Sequence, residues 1–481
     1  MKFSHPSSRG QYESGLQYVA SDTICFPAKL VHGHVLDLSK QGVDRIFLPY
    51  ILHMPPENKR EKSPYVCPVI MGYSMVVRNF QSPEEHFSVD FETPVFHWFT
   101  EKDRKRQICQ YAMDRCGATK QQAEEACRQA AAAITAFRHQ LAEAGKQVIA
   151  DTEKTGGFAV VLAGRPYHTD PLINHDLSRM FTRRGIPVLT VDSLPGLETA
   201  DLRKSRVEIT NDFHARMLSG AMVTAEHPGL EYVQIVSFGC GHDAYLSDEV
   251  TRLMREISGK TPLILKLDES DVQGPLRIRV RSFVETLSMR RQREAPPHVR
   301  PLGDPYPVKF TARDKAERVV LIPNTSHAFC RLMSAAMGSQ GLRTEPLDVG
   351  REEAIRLGRK YVHNDICFPA QIVIGEALAA LESGKYDGQK VAIGMGKYIG
   401  DCRLTHYSAL LRKALDSAGY PDVPIITNDD QDSHALHPGY KMNLPASIKV
   451  ALCLPMIDVL EELLRKIRPY ETEAGSADRA L

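Results

Sequence analysis

Apolar residues in this chain fall in short continuous runs. Each run is followed by a polar or glycine-containing break and then by apolar positions at helical spacing. Residues 158–163 form one run, Gly164-Arg165-Pro166-Tyr167-His168-Thr169-Asp170-Pro171 breaks it, a helical pattern extends to about residue 184, and residues 187–191 resume a strand. The unit recurs as a strand at 232–237, the loop Phe238-Gly239-Cys240-Gly241-His242-Asp243, a helix at 248–257 and a strand at 262–266. A third unit opens at 319–323, and a fourth combines 391–394, a helix at 408–418 and a strand at 423–427. Strands alternating with helices of this length indicate parallel βαβ units. The expected class is therefore α/β, with repeated Rossmann-like parallel-sheet domains. Residues 103–115 and 121–144 are rich in Ala, Gln, Glu, Lys and Arg, and between them Thr119 and Gln122 have the spacing of a capping box. They predict an added helical segment.

Residues 291–311 contain Pro296, Pro297, Pro301, Pro305 and Pro307 and interrupt all periodicity, as a linker does. The expected organisation is a first region at 1–155 that includes the helical segment, a Rossmann-like domain at 156–295, a linker at 296–315 and a second Rossmann-like domain at 316–481. A length of 481 residues is consistent with several domains. The balance of 60 Lys+Arg against 59 Asp+Glu excludes a dedicated nucleic-acid binder, and no apolar run is long enough for a membrane helix. The expected location is the cytoplasm, where ten cysteines stay reduced and become core residues, nucleophiles or metal ligands.

Ile24-Cys25-Phe26-Pro27-Ala28 recurs as Ile366-Cys367-Phe368-Pro369-Ala370, and the register continues through Val31 and Val373, Gly33 and Gly375, Leu36 and Leu378, and Gly42 and Gly384. The proline two residues after each cysteine belongs in the first turn of a helix, so Cys25 and Cys367 are expected at helix N-termini, where the dipole favours anions. Cys240 and Cys402 fall in loops between a strand and a helix, the edge of a parallel sheet where ligands bind. Cys67, in Tyr65-Val66-Cys67-Pro68, also falls in a loop. An isolated cysteine is most often a small buried hydrophobe, and Cys109, Cys116, Cys127, Cys330 and Cys453 fit that reading because they lie in or beside helical patterns.

Structural zinc is not expected, because no CxxC pair occurs and His32 and His34 stand two apart on a helix. Gly394-Met395-Gly396-Lys397 resembles part of a phosphate loop, but Tyr398 stands where Ser or Thr is needed, so ATP hydrolysis is not expected. A Cys240–His242 thiol nucleophile is a weaker reading. Widely spaced cysteines converging from strand-end loops can hold an iron–sulfur cluster. Arg165, Tyr167 and His168 follow a strand and could line the same pocket as proton donors or anion contacts, or simply fix a turn. Arg277, Arg279 and Arg281 read as an amphipathic surface with ion pairs, or as a docking face for an acidic partner or a CoA phosphate.

The segment from Ile24 to His34, together with Gly164 to His168, Ser237 to Ala244, Arg277 to Ser282, Asn364 to Pro369 and Arg468-Pro469-Tyr470-Glu471, resembles the 2-hydroxyacyl-CoA dehydratase-type region of the large CoA activase fusion proteins, which is related to double-cubane cluster proteins. The resemblance implies paired Rossmann-like domains with an oxygen-sensitive iron–sulfur cluster, [4Fe–4S] or an [8Fe–9S] double cubane. It also implies an ATP-hydrolysing activator, with its own cluster, as electron donor. In the fusions that activator precedes this region, whereas here only 24 residues precede Cys25, which fits a fragment or a split subunit. By the resemblance, Cys25, Cys67 and Cys240 would serve one cubane and Cys367 and Cys402 a second. A double cubane wants a sixth thiolate, for which Cys330, Cys453 or a non-cysteine ligand are the options. The sequence departs from the family around Lys397-Tyr398-Ile399-Gly400-Asp401, before Cys402.

The expected function is thus an iron–sulfur reductase component, with a dehydratase subunit acting on a CoA thioester, or a non-catalytic scaffold for the activator, as the alternatives. The expected partners are the activator, a CoA thioester or small-molecule substrate, and a second copy in a homodimer. No nucleic acid and no membrane are expected.

Overall fold

A computed structural model describes residues 1–55, 65–270, 273–293, 298–347, 352–398, 400, 402–429, 432 and 434–480. The chain divides into two compact units, Met1–Gly303 and Asp304–Leu481. The division falls within the proline-rich stretch, of which Pro296 and Pro297 lie outside the described residues. The expected segments 1–155 and 156–295 both belong to the first unit.

The first unit opens with two helices, α1 (Arg9–Gly15) and α2 (Phe26–Lys40), that cross at glycine. A Cβ on Gly33 would stand 2.2 Å from the Gln11 carbonyl oxygen, and one on Gly15 would stand 2.6 Å from the Gly33 nitrogen. Only hydrogen fits between these backbones. Strands β1 (Arg45–Phe47) and β2 (Tyr50–His53) follow, and run parallel to β3 (Asp90–Glu92) and β4 (Val95–His97) respectively. Bonds from Leu48 N to Glu92 O (3.0 Å) and from Tyr50 N to Pro94 O (2.9 Å) carry the pairing between the two strand pairs. The connection carries α3 (Pro68–Val76) and α4 (Pro83–Phe87). Ala28, Val35, Ile46, Tyr73, Val77 and Phe91 form the core between ribbon and helices.

Helices α5 (Glu101–Cys116) and α6 (Lys120–Lys154) form the expected helical segment, and the capping box at Thr119 and Gln122 is present. Helix α6 runs ten residues past the expected end at 144.

A parallel sheet follows: β5 (Ala159–Ala163), α7 (Leu177–Thr182), β6 (Val188–Thr190), α8 (Asp212–Glu226), β7 (Leu230–Ser237), α9 (Gly241–Ser258), β8 (Leu263–Leu267) and α10 (Gln273–Arg293). Its strand order is β6-β5-β7-β8, every pair parallel. All residues of β5 and β7 are buried, as expected for strands covered on both faces.

The second unit repeats the plan: α11 (Asp314–Glu317), β9 (Val319–Ile322), α12 (His327–Gly338), β10 (Arg343–Pro346), α13 (Glu352–Tyr361), α14 (Phe368–Glu382), β11 (Val391–Met395), α15 (Tyr407–Ala418), β12 (Ile425–Thr427), α16 (Leu444–Ile467) and α17 (Ser476–Ala480). Its order, β10-β9-β11-β12, is the same and is also all parallel. The two sheets are thus the repeated Rossmann-like domains of an α/β protein. No helix among the described residues is long and apolar enough to cross a membrane.

The sequence repeat has a structural cause. Helices α13 and α14 cross as α1 and α2 do: a Cβ on Gly375 would stand 1.8 Å from the Ala354 oxygen, and one on Gly358 would stand 1.9 Å from the Gln371 oxygen. Gly33 and Gly375 are therefore the matched crossing points. Gly42 (φ +65°) and Gly384 (φ +74°) are the matched left-handed residues just past the helix ends.

Candidate metal centre

All five cysteines expected as ligands stand at N-caps: Cys25 of α2, Cys67 of α3, Cys240 of α9, Cys367 of α14, and Cys402 of a 3₁₀ turn (Arg403–His406) that leads into α15. Proline in the first turn fixes this for Cys25, Cys67 and Cys367. At two of these openings the helix backbone favours the thiolate: against the larger effect of burial, hydrogen bonding from the Ala28 backbone lowers the Cys25 pKa, and that from the Asp243 backbone lowers the Cys240 pKa. The other five cysteines lie within helices: Cys109 and Cys116 in α5, Cys127 in α6, Cys330 in α12 and Cys453 in α16.

In the first unit the strand order reverses between β5 and β7, which opens a crevice at their carboxyl ends. Arg165 follows β5 and Cys240 follows β7. The Arg165 guanidinium is buried, with Nη1 2.9 Å from Asp243 Oδ1 and Nη2 3.5 Å from Cys240 Sγ. Asp243 also accepts the Ser237 N–H at 3.0 Å, which fixes the turn out of β7. Gly239 has φ +76°, and a Cβ there would come 3.4 Å from the Thr23 carbonyl oxygen, so the Cys240 loop abuts the segment that carries Cys25.

The electrostatics tie the three thiols together. Burial pushes the Cys25 thiol pKa up, Cys67 adds to the rise by like charge and Arg165 opposes it. Cys240 is pushed up to about 11 by burial, with Arg165 opposing and Asp243 and Cys67 adding. Burial acts against the Arg165 charge, but the Asp243 carboxylate outweighs it and holds the guanidinium protonated. Tyr167, within the field of Arg165, Cys25 and Cys240, is kept protonated by burial. Cys25, Cys67, Cys240, Arg165 and Tyr167 therefore share one electrostatic neighbourhood.

His168 is used differently. Its Nδ1 accepts the Arg165 backbone N–H at 3.0 Å, and Nε2 stands 3.0 Å from Ser237 Oγ. Burial, reinforced by Arg165, holds the imidazole pKa well below its usual value, so the ring is neutral and clips the loop after β5 to the end of β7. Gly164 leaves room for it, since a Cβ there would stand 2.4 Å from His168 Nδ1.

In the second unit Cys367 Sγ lies 2.9 Å from Tyr407 Oη. Burial raises the Tyr407 pKa, and both Cys367 and Cys402 add to the rise, so the phenol lies within the field of both cysteines. Ile399 and Asp401 lie outside the described residues. Cys330 is buried with its thiol 3.3 Å from the Pro323 carbonyl oxygen, a core position. Lys397 is buried with its ammonium 2.7 Å from Asp432 and 3.2 Å from Asp429, so its charge is committed inside the unit. Arg277, Arg279 and Arg281 lie on helix α10, where a spacing of two distributes them around the surface; Arg279 bonds the Ile264 carbonyl oxygen at 2.6 Å.

The donor set of the first unit fits an iron–sulfur cluster. Three N-cap thiols share one electrostatic neighbourhood, and a buried guanidinium supplies positive charge beside the Cys240 sulfur. Burial raises the Cys25 and Cys240 pKa values, so metal binding at these two thiols would displace protons. Two contributors were not singled out from the sequence: Asp243, which lies 78 residues from its partner Arg165, and Tyr407. Asp243 left one trace, an acidic residue in the first turn of α9.

No curated protein and no solved structure matches the chain. Residues 1–194, which run from α1 past β6 and include Cys25, Cys67, Arg165, Tyr167 and His168, match the family described as CoA enzyme activase uncharacterised domain (DUF2229), and in this region the chain is similar to a domain of CoA enzyme activases.

Proposed function

We propose that the chain is an iron–sulfur reductase component that takes low-potential electrons from an ATP-hydrolysing activator bearing its own cluster. The observation that carries this reading is that three N-cap thiols, Cys25, Cys67 and Cys240, lie within the field of the buried Arg165–Asp243 pair. The similarity of residues 1–194 to a CoA enzyme activase domain supports the link to an activator. Cys25, Cys67 and Cys240 would hold a [4Fe–4S] cluster, and Cys367 and Cys402 offer two further thiols for a second cluster or a double cubane. Such a cluster supplies one-electron chemistry at low potential. Arg165 offsets the negative charge of the sulfurs, Tyr167 keeps its proton available for a hydrogen bond, and His168 fixes the loop that presents Arg165. Ten free cysteines fit a reducing cytoplasm.

A second reading, a 2-hydroxyacyl-CoA dehydratase subunit, is favoured by the thiol count. If Cys25, Cys67 and Cys240 held a four-iron cubane, one iron would lack a cysteine ligand and could take a substrate oxygen. CoA-thioester binding would support this reading, and activator-dependent reduction of small molecules without it would support the first.

The test is iron and acid-labile sulfide per chain after anaerobic purification, with Cys25→Ala and Cys367→Ala variants. About eight irons, with metal lost in both variants, supports a double cubane, and about four, lost only with Cys25→Ala, supports one cluster in the first unit. No iron after anaerobic reconstitution overturns the proposal.

A further inference from the structure

Helix α16 is apolar on two opposite faces. Ala446, Val450, Cys453, Ile457 and Leu464 form its buried or half-buried side, and α12 is the helix it packs against most extensively. The opposite side carries Leu444 (71% exposed), Ile448 (49%), Leu452 (68%), Met456 (62%), Val459 (55%), Leu463 (47%) and Ile467 (53%). At helical spacing these seven fall within about 140° of the circumference. At about 100 Å² each they present on the order of 700 Å² of apolar surface, more than most monomers leave in one patch and close to one partner's share of a stable interface. The charged residues in this arc are Lys449 toward one end and Glu462 and Lys466, which pair with each other, at the other end, and the long lysine stems reach past an apolar contact to water.

The spacing of the stripe identifies the occupant. Leu444 and Ile467, Ile448 and Leu463, and Leu452 and Val459 are each equidistant from the point between Pro455 and Met456. A stripe that reads alike from both ends matches its own copy laid antiparallel, which is the requirement of a two-fold interface. We propose that α16 dimerises the chain by packing antiparallel against α16 of a second copy, with the two-fold axis passing beside Met456.

Light scattering of the full chain during gel filtration tests this. The expected mass is twice the 53.8 kDa of one chain. The double variant Leu452→Glu/Val459→Glu should fall to one chain mass with unchanged helical circular dichroism, while Phe137→Glu, on the exposed surface of α6, keeps the dimer. Orientation is read by copper–phenanthroline oxidation in a Cys453→Ser background. Met456→Cys should join to its own copy, whereas Leu444→Cys should join only when mixed with Ile467→Cys. A wild-type chain of single mass, a double variant that stays dimeric, or Leu444→Cys joining to itself would each overturn the proposal.

Discussion

Arg165 and Asp243 join the carboxyl ends of two neighbouring strands through a buried ion pair of 2.9 Å, and the same guanidinium reaches Cys240 Sγ at 3.5 Å. Breaking one side of such a pair leaves the other charge buried without compensation. Arg165→Leu should therefore cost about 3–5 kcal/mol in urea unfolding. Adding Asp243→Asn should recover part of that loss, because the amide removes the stranded charge. A single-variant loss below about 1 kcal/mol would mean that the pair is dispensable.

The glycine crossings give a second prediction. An alanine at position 375 would set its Cβ 1.8 Å from the Ala354 oxygen, and one at position 33 would set it 2.2 Å from the Gln11 oxygen. Both obstacles are backbone, so the helices must separate. Gly375→Ala and Gly33→Ala should each destabilise by about 2 kcal/mol or more, with Gly72→Ala, whose Cβ meets nothing within 4 Å, as the neutral control. Thermal unfolding of the three variants checks the order.

His32 predicts a pH dependence. Its ring is buried between Gln81 Oε1 at 3.0 Å and Tyr73 Oη at 3.1 Å, and burial holds its pKa below the usual value. The folded state then binds fewer protons than the unfolded chain. Its contribution to stability is fully present above about pH 6.5 and is lost as the pH falls below that value. Urea midpoints at pH 7.5 and pH 5.5 should show a smaller acid loss in His32→Gln than in the wild type.

Thiol chemistry provides a fourth check on the metal-free protein. Cys116 and Cys402 are exposed, Cys109 and Cys330 are buried, and the Cys240 thiol is pushed up to about 11 by burial. Iodoacetamide at pH 8 should label Cys116 and Cys402 first and Cys240 much later, as read by peptide mass spectrometry. Rapid labelling of Cys240 would contradict its protonated, enclosed environment.

What the chain reveals in advance depends on how local the signal is. Strands β5, β7, β9 and β11 announce themselves as apolar runs because both of their faces are covered. The N-cap positions of Cys25 and Cys367 follow from the proline two residues on. By contrast β1 to β4 are three or four residues long and carry too little pattern to separate from loops. Helix α8 is buried almost all round, so it lacks the polar face that marks a helix in sequence. Helix α9 begins at Gly241, seven residues before its expected start, because Gly241-His242-Asp243 has the composition of a loop while Cys240 caps it. Arginines 277, 279 and 281 alternate as in a strand yet lie on a helix. The pairing of Arg165 with Asp243 depends on the fold bringing two strand ends together, which no local pattern announces.

Every strand pairing in the named sheets is parallel, which sets the pace at which this chain can reach its native state. A parallel pair cannot nucleate from a tight hairpin; each contact waits for a whole crossover to close, so the entropy of loop closure is spent before any ladder forms. Folding on a scale of seconds or longer, with sticky strand edges exposed meanwhile, is the consequence. Recovery of native protein from denaturant should therefore depend steeply on dilution, and synthesis in the cell should favour chaperone-rich conditions over sheer expression rate.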